Sequence, residues 1–223
     1  MNTDALAGRR ILVSAGPTYE DIDPVRFLGN RSSGKMGFAI AAAAVAAGAE
    51  VLLVAGPVAL PTPDGLQRID VRSAAQMHAA VMGALPVDVY IGAAALADFT
   101  PERIAGSKIK KQPGETGLTL RLVRTRDILA EVATDARRPA LVVGFAAETD
   151  DIEAHARAKL EGKRVDLICA NRVGCPGGGF ESDDNALAIY GHGIERALGP
   201  APKSRIAEAL VALVAERLRP ENL

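Results

Sequence analysis

Apolar residues along this chain come in short unbroken runs, and the runs are separated by helical patterns. The runs are "RILVSAGPT", "EVLLVAGPV", "VDVYIGAAA", "PALVVGFAAET" and "VDLICAN". Runs of this kind predict strands covered on both faces, hence a mostly parallel sheet with helices on either side. Between them, "GKMGFAIAAAAVAAGA" predicts a helix with Gly48 at its C-terminal cap. Ser73 opens "SAAQMHAAVMGAL", and Gln76 three residues later completes a capping box. "RDILAEVATDA" predicts a third helix, and Asp150 with Glu153 is placed to cap a fourth, "DIEAHARAKLEGK". "NALAIYGHGIERAL" predicts two short strands around a Gly-rich turn. In "SRIAEALVALVAERL" the residues Ile206, Leu210, Leu213, Val214 and Leu218 share one helical face. The expected fold class is α/β in a single domain, 1–223, with a small C-terminal β-hairpin.

Two stretches break the pattern. Residues 1–8 are polar, lack an apolar signal-peptide core and read as a linker. Residues 98–118, "DFTPERIAGSKIKKQPGETGL", carry four Lys/Arg and three Gly without an apolar period. A loop that long in a compact domain is expected to be functional or disordered, and a basic one suits a mobile flap over an anion. A solvated surface loop is the competing reading.

Composition narrows the function classes. The 223 residues are 48% hydrophobic with net charge −1, so no global field calls for nucleic acid or an anionic membrane. Trp is absent and aromatics are 4%, which argues against base-stacking platforms. The Ala-rich stretch from Gly37 to Leu60 is broken by Gly48, Glu50 and Pro57, so it is no membrane span. The two cysteines, Cys169 and Cys175, form no CxxC and no finger-like spacing with His78, His155 or His192, which disfavours structural zinc. Cys169 reads as a core residue, and the usage fits a reducing cytoplasm.

The segment "GNRSSGKMG" nearly spells a phosphate-binding G-x-x-x-x-G-K-[ST] loop. Met36 stands where Mg²⁺ needs a hydroxyl, and the first strand ends near Ser14, well before Gly29. That excludes the motif. Its physics survives: a helix start rich in Gly, Ser and Asn offers N–H groups and a positive dipole end to an anion. N-capping by Ser32 or Ser33 is the plainer alternative.

Six blocks occur in order: "AGPTYEDIDPVRFLGNRSSGKMGFAIA", "AGPVALPTP", "GAAALADF", "KIKK", "VGFAAET" and "DLICAN". Together, from about Arg9 to the last helix, they resemble phosphopantothenoylcysteine synthetase. That is the second unit of the bacterial bifunctional coenzyme A biosynthesis protein. The resemblance implies a Rossmann-like sheet and the ligation of 4′-phosphopantothenate to L-cysteine with CTP. In such a reaction the carboxylate attacks the α-phosphorus, and pyrophosphate leaves from an acyl-cytidylate. The cysteine amine then displaces CMP. The resemblance also implies Mg²⁺, a homodimer, and a flavin-dependent decarboxylase unit in the same or a companion chain.

Residue by residue, Asn30 matches the Asn beside the intermediate's carbonyl, and Lys108 matches the flap lysine that reaches the triphosphate, with Lys110 and Lys111 as rivals. Gly92, Ala93 and Ala94 match the nucleotide-binding strand end, where small residues let backbone approach base and sugar, and Ala95 in the same block is expected on the substrate side. Asp98 is similar to the acid near the nucleotide and its metal. Arg126, Asp127, Ile128 and Leu129 stand where the family has Pro-Asp-Ile-Val, so a side-chain role for Arg126 departs from the pattern. Phe145 matches the residue packing on the base. Lys159 and Lys163 match two nucleotide-facing lysines and, four apart, share a helix face. Arg26 resembles the arginine that reaches the pantothenate phosphate from the partner subunit. Ser32, Ser33 and Gly34 would hold a phosphate.

A nicotinamide-dinucleotide protein is the first competitor, but G-x-G-x-x-G after the first strand and an acid after the second are both missing. A non-catalytic interaction module and an ATP-using ligase are the others.

Overall fold

The computed structural model describes residues 4–114, 116–173 and 182–219. Strands β1 (Arg10–Ala15), β4 (Glu50–Ala55), β5 (Gln67–Asp70), β6 (Val89–Gly92), β9 (Leu141–Glu148), β10 (Leu167–Arg172), β11 (Asp184–Gly191) and β12 (Ile194–Pro202) form one sheet. Its order is β12-β11-β10-β9-β6-β1-β4-β5. All pairs from β5 to β10 are parallel, and β11 and β12 add an antiparallel edge. The order runs one way from β1 through β4 and the other way through β6, so the strand direction of travel reverses between β1 and β6. That is where an open α/β sheet leaves a crevice at its carboxyl edge.

Pleating explains the two cores. Ile11, Val13, Val89, Ile91, Leu167 and Cys169 point to the face covered by α1 (Lys35–Ala46) and α5 (Lys203–Arg217). Leu12, Tyr90, Ile168 and Ala170, the intervening residues, point to the face covered by α2 (Ala74–Ala84), α3 (Ile128–Thr134) and α4 (Ile152–Lys163). Each buried Leu or Ile contributes about 1.5–3 kcal/mol. The five residues of the C-terminal helical stripe are all buried.

Local signals behave as their chemistry dictates. Gly48, with φ 89°, follows the end of α1, and Ser73 and Gln76 make a reciprocal capping box. At α4 the expectation is corrected. The N-cap is Asp151, not Asp150, and it adopts a left-handed conformation (φ 39°) without a side-chain cap bond. Asp150 instead accepts from the Thr149 hydroxyl at 3.4 Å. A short Asp tolerates that backbone, and the sequence pattern cannot register it. The C-terminal hairpin strands are eight and nine residues long rather than short. Among residues 4–8, expected as linker, Leu6 is buried and its N–H donates to Ala47 O at 2.8 Å. Cys169 is buried, and Cys175 lies outside the described residues. Among the described residues no helix is long and apolar enough to cross a membrane.

Two small ladders stand above the carboxyl edge. One pairs β2 (Tyr19–Asp21) with β3 (Phe27–Gly29), and Tyr19 stacks on Phe27 with centroids 3.9 Å apart. The other pairs β7 (Phe99–Pro101) with β8 (Leu122–Arg124) at the base of the flap. Three-residue strands carry too little alternation to be read from sequence.

Candidate functional site

A cavity of about 1100 Å³ opens at the carboxyl edge where the strand order reverses. Its floor continues β6. Ala93 N–H donates to Ser14 O and Ala95 N–H to Gly16 O, both at 2.9 Å, so the small residues Gly92–Ala95 are fixed by backbone bonds. Beneath them the hydroxyls of Ser14 and Tyr90 lie 2.9 Å apart, and burial pushes the Tyr90 phenol up to about 12. Gly92, Ala93, Ala94 and Ala95 all line the cavity, as do Leu129 and Phe145.

One wall is the start of α1. Gly34 is its N-cap, in a left-handed conformation (φ 76°) that favours glycine, and no side chain caps the helix. Gly34 N–H donates to Ser32 Oγ at 3.3 Å, so neither Ser32 nor Ser33 serves as N-cap. A Cβ on Gly37 would sit 2.5 Å from Ala15 Cβ, which is why this turn can press against β1. Ser32, Ser33 and Gly34 therefore present the positive end of α1 to the cavity.

The opposite wall is cationic. Lys159 donates to Phe145 O at 2.7 Å. Burial pushes its ammonium below the ordinary value, and the charge of Lys163 adds to that. Lys163 pairs with Asp127, which also caps α3 by accepting from Ala130 N–H at 3.1 Å. Arg126 donates Nε and Nη2 to Glu131 at 3.0 and 2.6 Å, and His78 Nε2 lies 2.9 Å from the same carboxylate. Burial works to raise the Glu131 carboxyl; the hydrogen bonds from His78 and Arg126 outweigh it and leave it below its ordinary value. Arg126, Asp127, Lys159, Lys163 and Asp98 all line the cavity. Ile128 does not: it is 1% exposed and packs in the core, because successive residues of a helix face different sides.

The rim holds Asn30, whose Nδ2 donates to Leu96 O at 2.8 Å. This bond orients the amide at the cavity edge, so Asn30 is neither a helix cap nor a left-handed turn residue. Lys108 and Arg26 are not brought to the same place. Lys108 is exposed and outside the lining, and Arg26 is engaged by Asp23 and the flap backbone. Among the described residues no group of three or more His, Cys, Asp or Glu could hold a metal. Asp98 alone fits Mg²⁺ only as one carboxylate beside nucleotide phosphates, which is how that ion is commonly held.

Sequence reasoning missed the far end of the cavity, lined by Lys35, Asn171, Asn185 and Lys203. Lys35 Nζ is 2.6 Å from Asp183 Oδ1. Lys203, at the start of α5, donates to Ser182 O, and burial lowers its ammonium. Asn171 had a signal, as the last residue of "DLICAN" at a strand's carboxyl end. Lys203 had none.

The family described as DNA/pantothenate metabolism flavoprotein C-terminal domain matches residues 6–218. The chain belongs to this family. It is 48% identical over 214 residues to the coenzyme A biosynthesis bifunctional protein CoaBC of Vibrio cholerae, covering 96% of this chain and 54% of the relative. The Escherichia coli K12 protein of the same name is 45% identical over 95% of this chain and 53% of its own length. The chain thus spans about half the length of these relatives. The crystal structure of the C-terminal domain of CoaBC superposes with TM-score 0.82 at 38% identity, covering 96% of this chain and 98% of that one. The parallel α/β sheet expected from sequence is therefore the family's fold, and the structural match is to the C-terminal domain of the bifunctional protein.

Proposed function

We propose that the chain is a phosphopantothenate–cysteine ligase that uses CTP with Mg²⁺, working as a cytoplasmic homodimer alongside a decarboxylase unit. The observation that carries this reading is a single cavity combining an uncapped helix start, the cationic wall of Arg126, Lys159 and Lys163, and an oriented amide at Asn30. A carboxylate is a poor electrophile until one oxygen becomes a leaving group. Attack of the phosphopantothenate carboxylate on the α-phosphorus forms a P–O bond and expels pyrophosphate, whose charge the helix start and the lysines offset. Asp98 would help to hold Mg²⁺, which would supply charge neutralisation for the nucleotide phosphates.

In the second step the cysteine amine attacks the acyl carbon, the amine loses a proton, and the C–O bond to CMP breaks. The Asn30 amide is a neutral donor suited to the acyl oxyanion of that step. Ala93 and Ala95 give their N–H groups to Ser14 O and Gly16 O, so the proposed reading of the cytosine edge, with its one donor amine and two acceptors, falls to the remaining backbone groups near Ala93 to Ala95. A base with another pattern leaves buried groups unpaired at about 1–3 kcal/mol each. The dimer reading draws on exposed apolar residues clustered on the two small ladders and the flap, among them Val25, Phe27, Phe99, Ile104, Leu122 and Val123.

The test is pyrophosphate release on mixing the protein with 4′-phosphopantothenate, Mg²⁺ and each nucleotide separately, without cysteine. Release with CTP alone is the expected result; equal release with ATP removes the base preference, and no release with any nucleotide removes the ligase reading.

A further inference from the structure

The lysine-bearing stretch of the flap is held at its midpoint by two side chains. Asp23, whose side chain is fully enclosed, accepts from five donors. Its Oδ1 takes the backbone N–H groups of Val25 and Arg26 at 2.8 and 2.9 Å. Its Oδ2 takes Arg26 Nε at 3.0 Å, Arg26 Nη2, and the backbone N–H of Ile109 at 3.1 Å. Arg26 Nη2 also donates to Ile109 O at 2.9 Å. One ion pair thus satisfies both backbone groups of Ile109, as a neighbouring strand would. A second bond, Ala105 N–H to Ile22 O at 2.9 Å, ties the preceding part of the flap to the same hairpin.

Ile109 lies between Lys108 and Lys110. Holding its N–H and C=O fixes the two peptide planes that join it to these lysines, which narrows the backbone freedom left to both. An unanchored flap of about twenty residues would have to be ordered each time a phosphate chain bound, at a cost in conformational entropy for every residue fixed. We infer that Asp23 is a positioning residue for the ligation: Lys108 is exposed and outside the cavity lining here, and Asp23 ties its neighbour Ile109 to the hairpin whose Gly29 and Asn30 line the cavity, which shortens the lysine's search for the departing pyrophosphate. The inference rests on the ligase reading above. The charge on Asp23 is secure: the Arg26 guanidinium holds its carboxyl well below the usual carboxylate range. An amide cannot replace it, because Asn offers one acceptor oxygen and turns an N–H₂ donor toward the Arg26 or Ile109 donors.

The experiment compares wild type, Asp23→Asn and Ile109→Pro, the last removing the N–H that Asp23 accepts while leaving the hairpin intact. Two readouts are taken on the full chain: native-state trypsin cleavage after Lys110 and Lys111, and single-turnover pyrophosphate release from CTP and 4′-phosphopantothenate. Both variants are expected to be cleaved at least about tenfold faster, since proteolysis follows the opened population. Pyrophosphate release should fall about tenfold or more, as misplacing a catalytic group does. In a Lys108→Ala background Asp23→Asn should cost nothing further, which a general loss of structure would not reproduce. Unchanged cleavage in both variants overturns the anchor. Faster cleavage with pyrophosphate release within twofold of wild type overturns the positioning role. If wild type itself releases no pyrophosphate, the ligase reading falls while the cleavage result still judges the anchor.

Discussion

The floor and the rim of the cavity are built by opposite means. The floor is the carboxyl edge of β1, β6 and β9, backed on both faces by buried side chains, and it meets the cavity with backbone and with Ala and Gly. The rim is the β2–β3 hairpin and the flap. It keeps Val25, Phe27 and Ile104 exposed and is held by side chain to backbone bonds from Asp23, Arg26 and Asn30. Hydrophobic burial makes the floor rigid, as the proposed reading of a base requires. The rim has few apolar contacts of its own, so it belongs to the part of a protein that opens locally. Groups that must follow a moving charge are better placed there, provided something polar anchors them.

The comparison makes its largest prediction on chemistry. Lys108→Ala should slow pyrophosphate release about 10²–10³-fold, the usual loss for one pre-organised donor. Asn30→Ala should still release pyrophosphate and accumulate the acyl-cytidylate, because its oxyanion forms only when cysteine attacks. A single-turnover assay following labelled pyrophosphate and the acyl-cytidylate together decides this. If Asn30→Ala blocks the first step as severely, Asn30 positions the carboxylate instead.

The same substitution in the two regions should next give opposite results. A Cβ on Gly56, which follows β4 and donates its N–H to Ala15 O of the floor strand β1, would meet Pro17 O at 1.7 Å, a backbone atom that cannot swing aside. Gly56→Ala should therefore lose stability at the upper end of about 1–3 kcal/mol for overpacking. Around Gly106 in the flap a Cβ meets nothing within 4 Å and the φ is not positive. Gly106→Ala should be neutral or stabilise by about 0.4–1 kcal/mol through the unfolded chain. Denaturant midpoints at unchanged slope measure both, and equal losses would break the distinction between floor and rim.

That asymmetry also explains what the sequence could reveal. The floor is legible because its signals are local: apolar runs give the strands, Ser73 with Gln76 gives a cap, and Gly92 to Ala95 are consecutive. The rim is not, because its bonds join distant segments, 86 residues apart from Asp23 to Ile109 and 66 from Asn30 to Leu96. Nothing near Asp23 in sequence distinguishes an anchor from a turn residue. Ile128 was grouped with its site neighbours although helical geometry turns it into the core. The flap looked unanchored because its ties are made by Asp23, Arg26 and the Ile22 carbonyl, all far away in the sequence.

Hydrogen bonds of similar length should differ in worth between the two regions. Tyr90 and Ser14 share a buried bond of 2.9 Å in the floor. Tyr90→Phe leaves a buried hydroxyl unpaired and should cost about 1–2 kcal/mol. Arg72 and Asp21 pair at 2.6 Å on the rim, where Arg72 also lies over the Tyr19 and Phe27 rings. With both side chains partly in solvent, Asp21→Asn should cost only about 0.2–1 kcal/mol, and less in high salt. Titration separates the two further. The Tyr90 phenol stands at about 12 in the fold against about 10 unfolded. Between those values the unfolded chain has released a proton the native chain keeps, so stability falls as pH rises through that window. Tyr90→Phe should flatten that limb. The hydrogen bond from Arg72 lowers the Asp21 carboxyl below its ordinary value. Its stabilisation is present above the unfolded value of about 4 and is lost as pH falls through the lower folded one, because the unfolded chain then binds the extra proton. Asp21→Asn should flatten the acid limb slightly and only at low ionic strength. Melting midpoints across pH, in low and high salt, check both. An acid limb as steep and as salt-resistant as the alkaline one would mean that the rim is as dry as the floor.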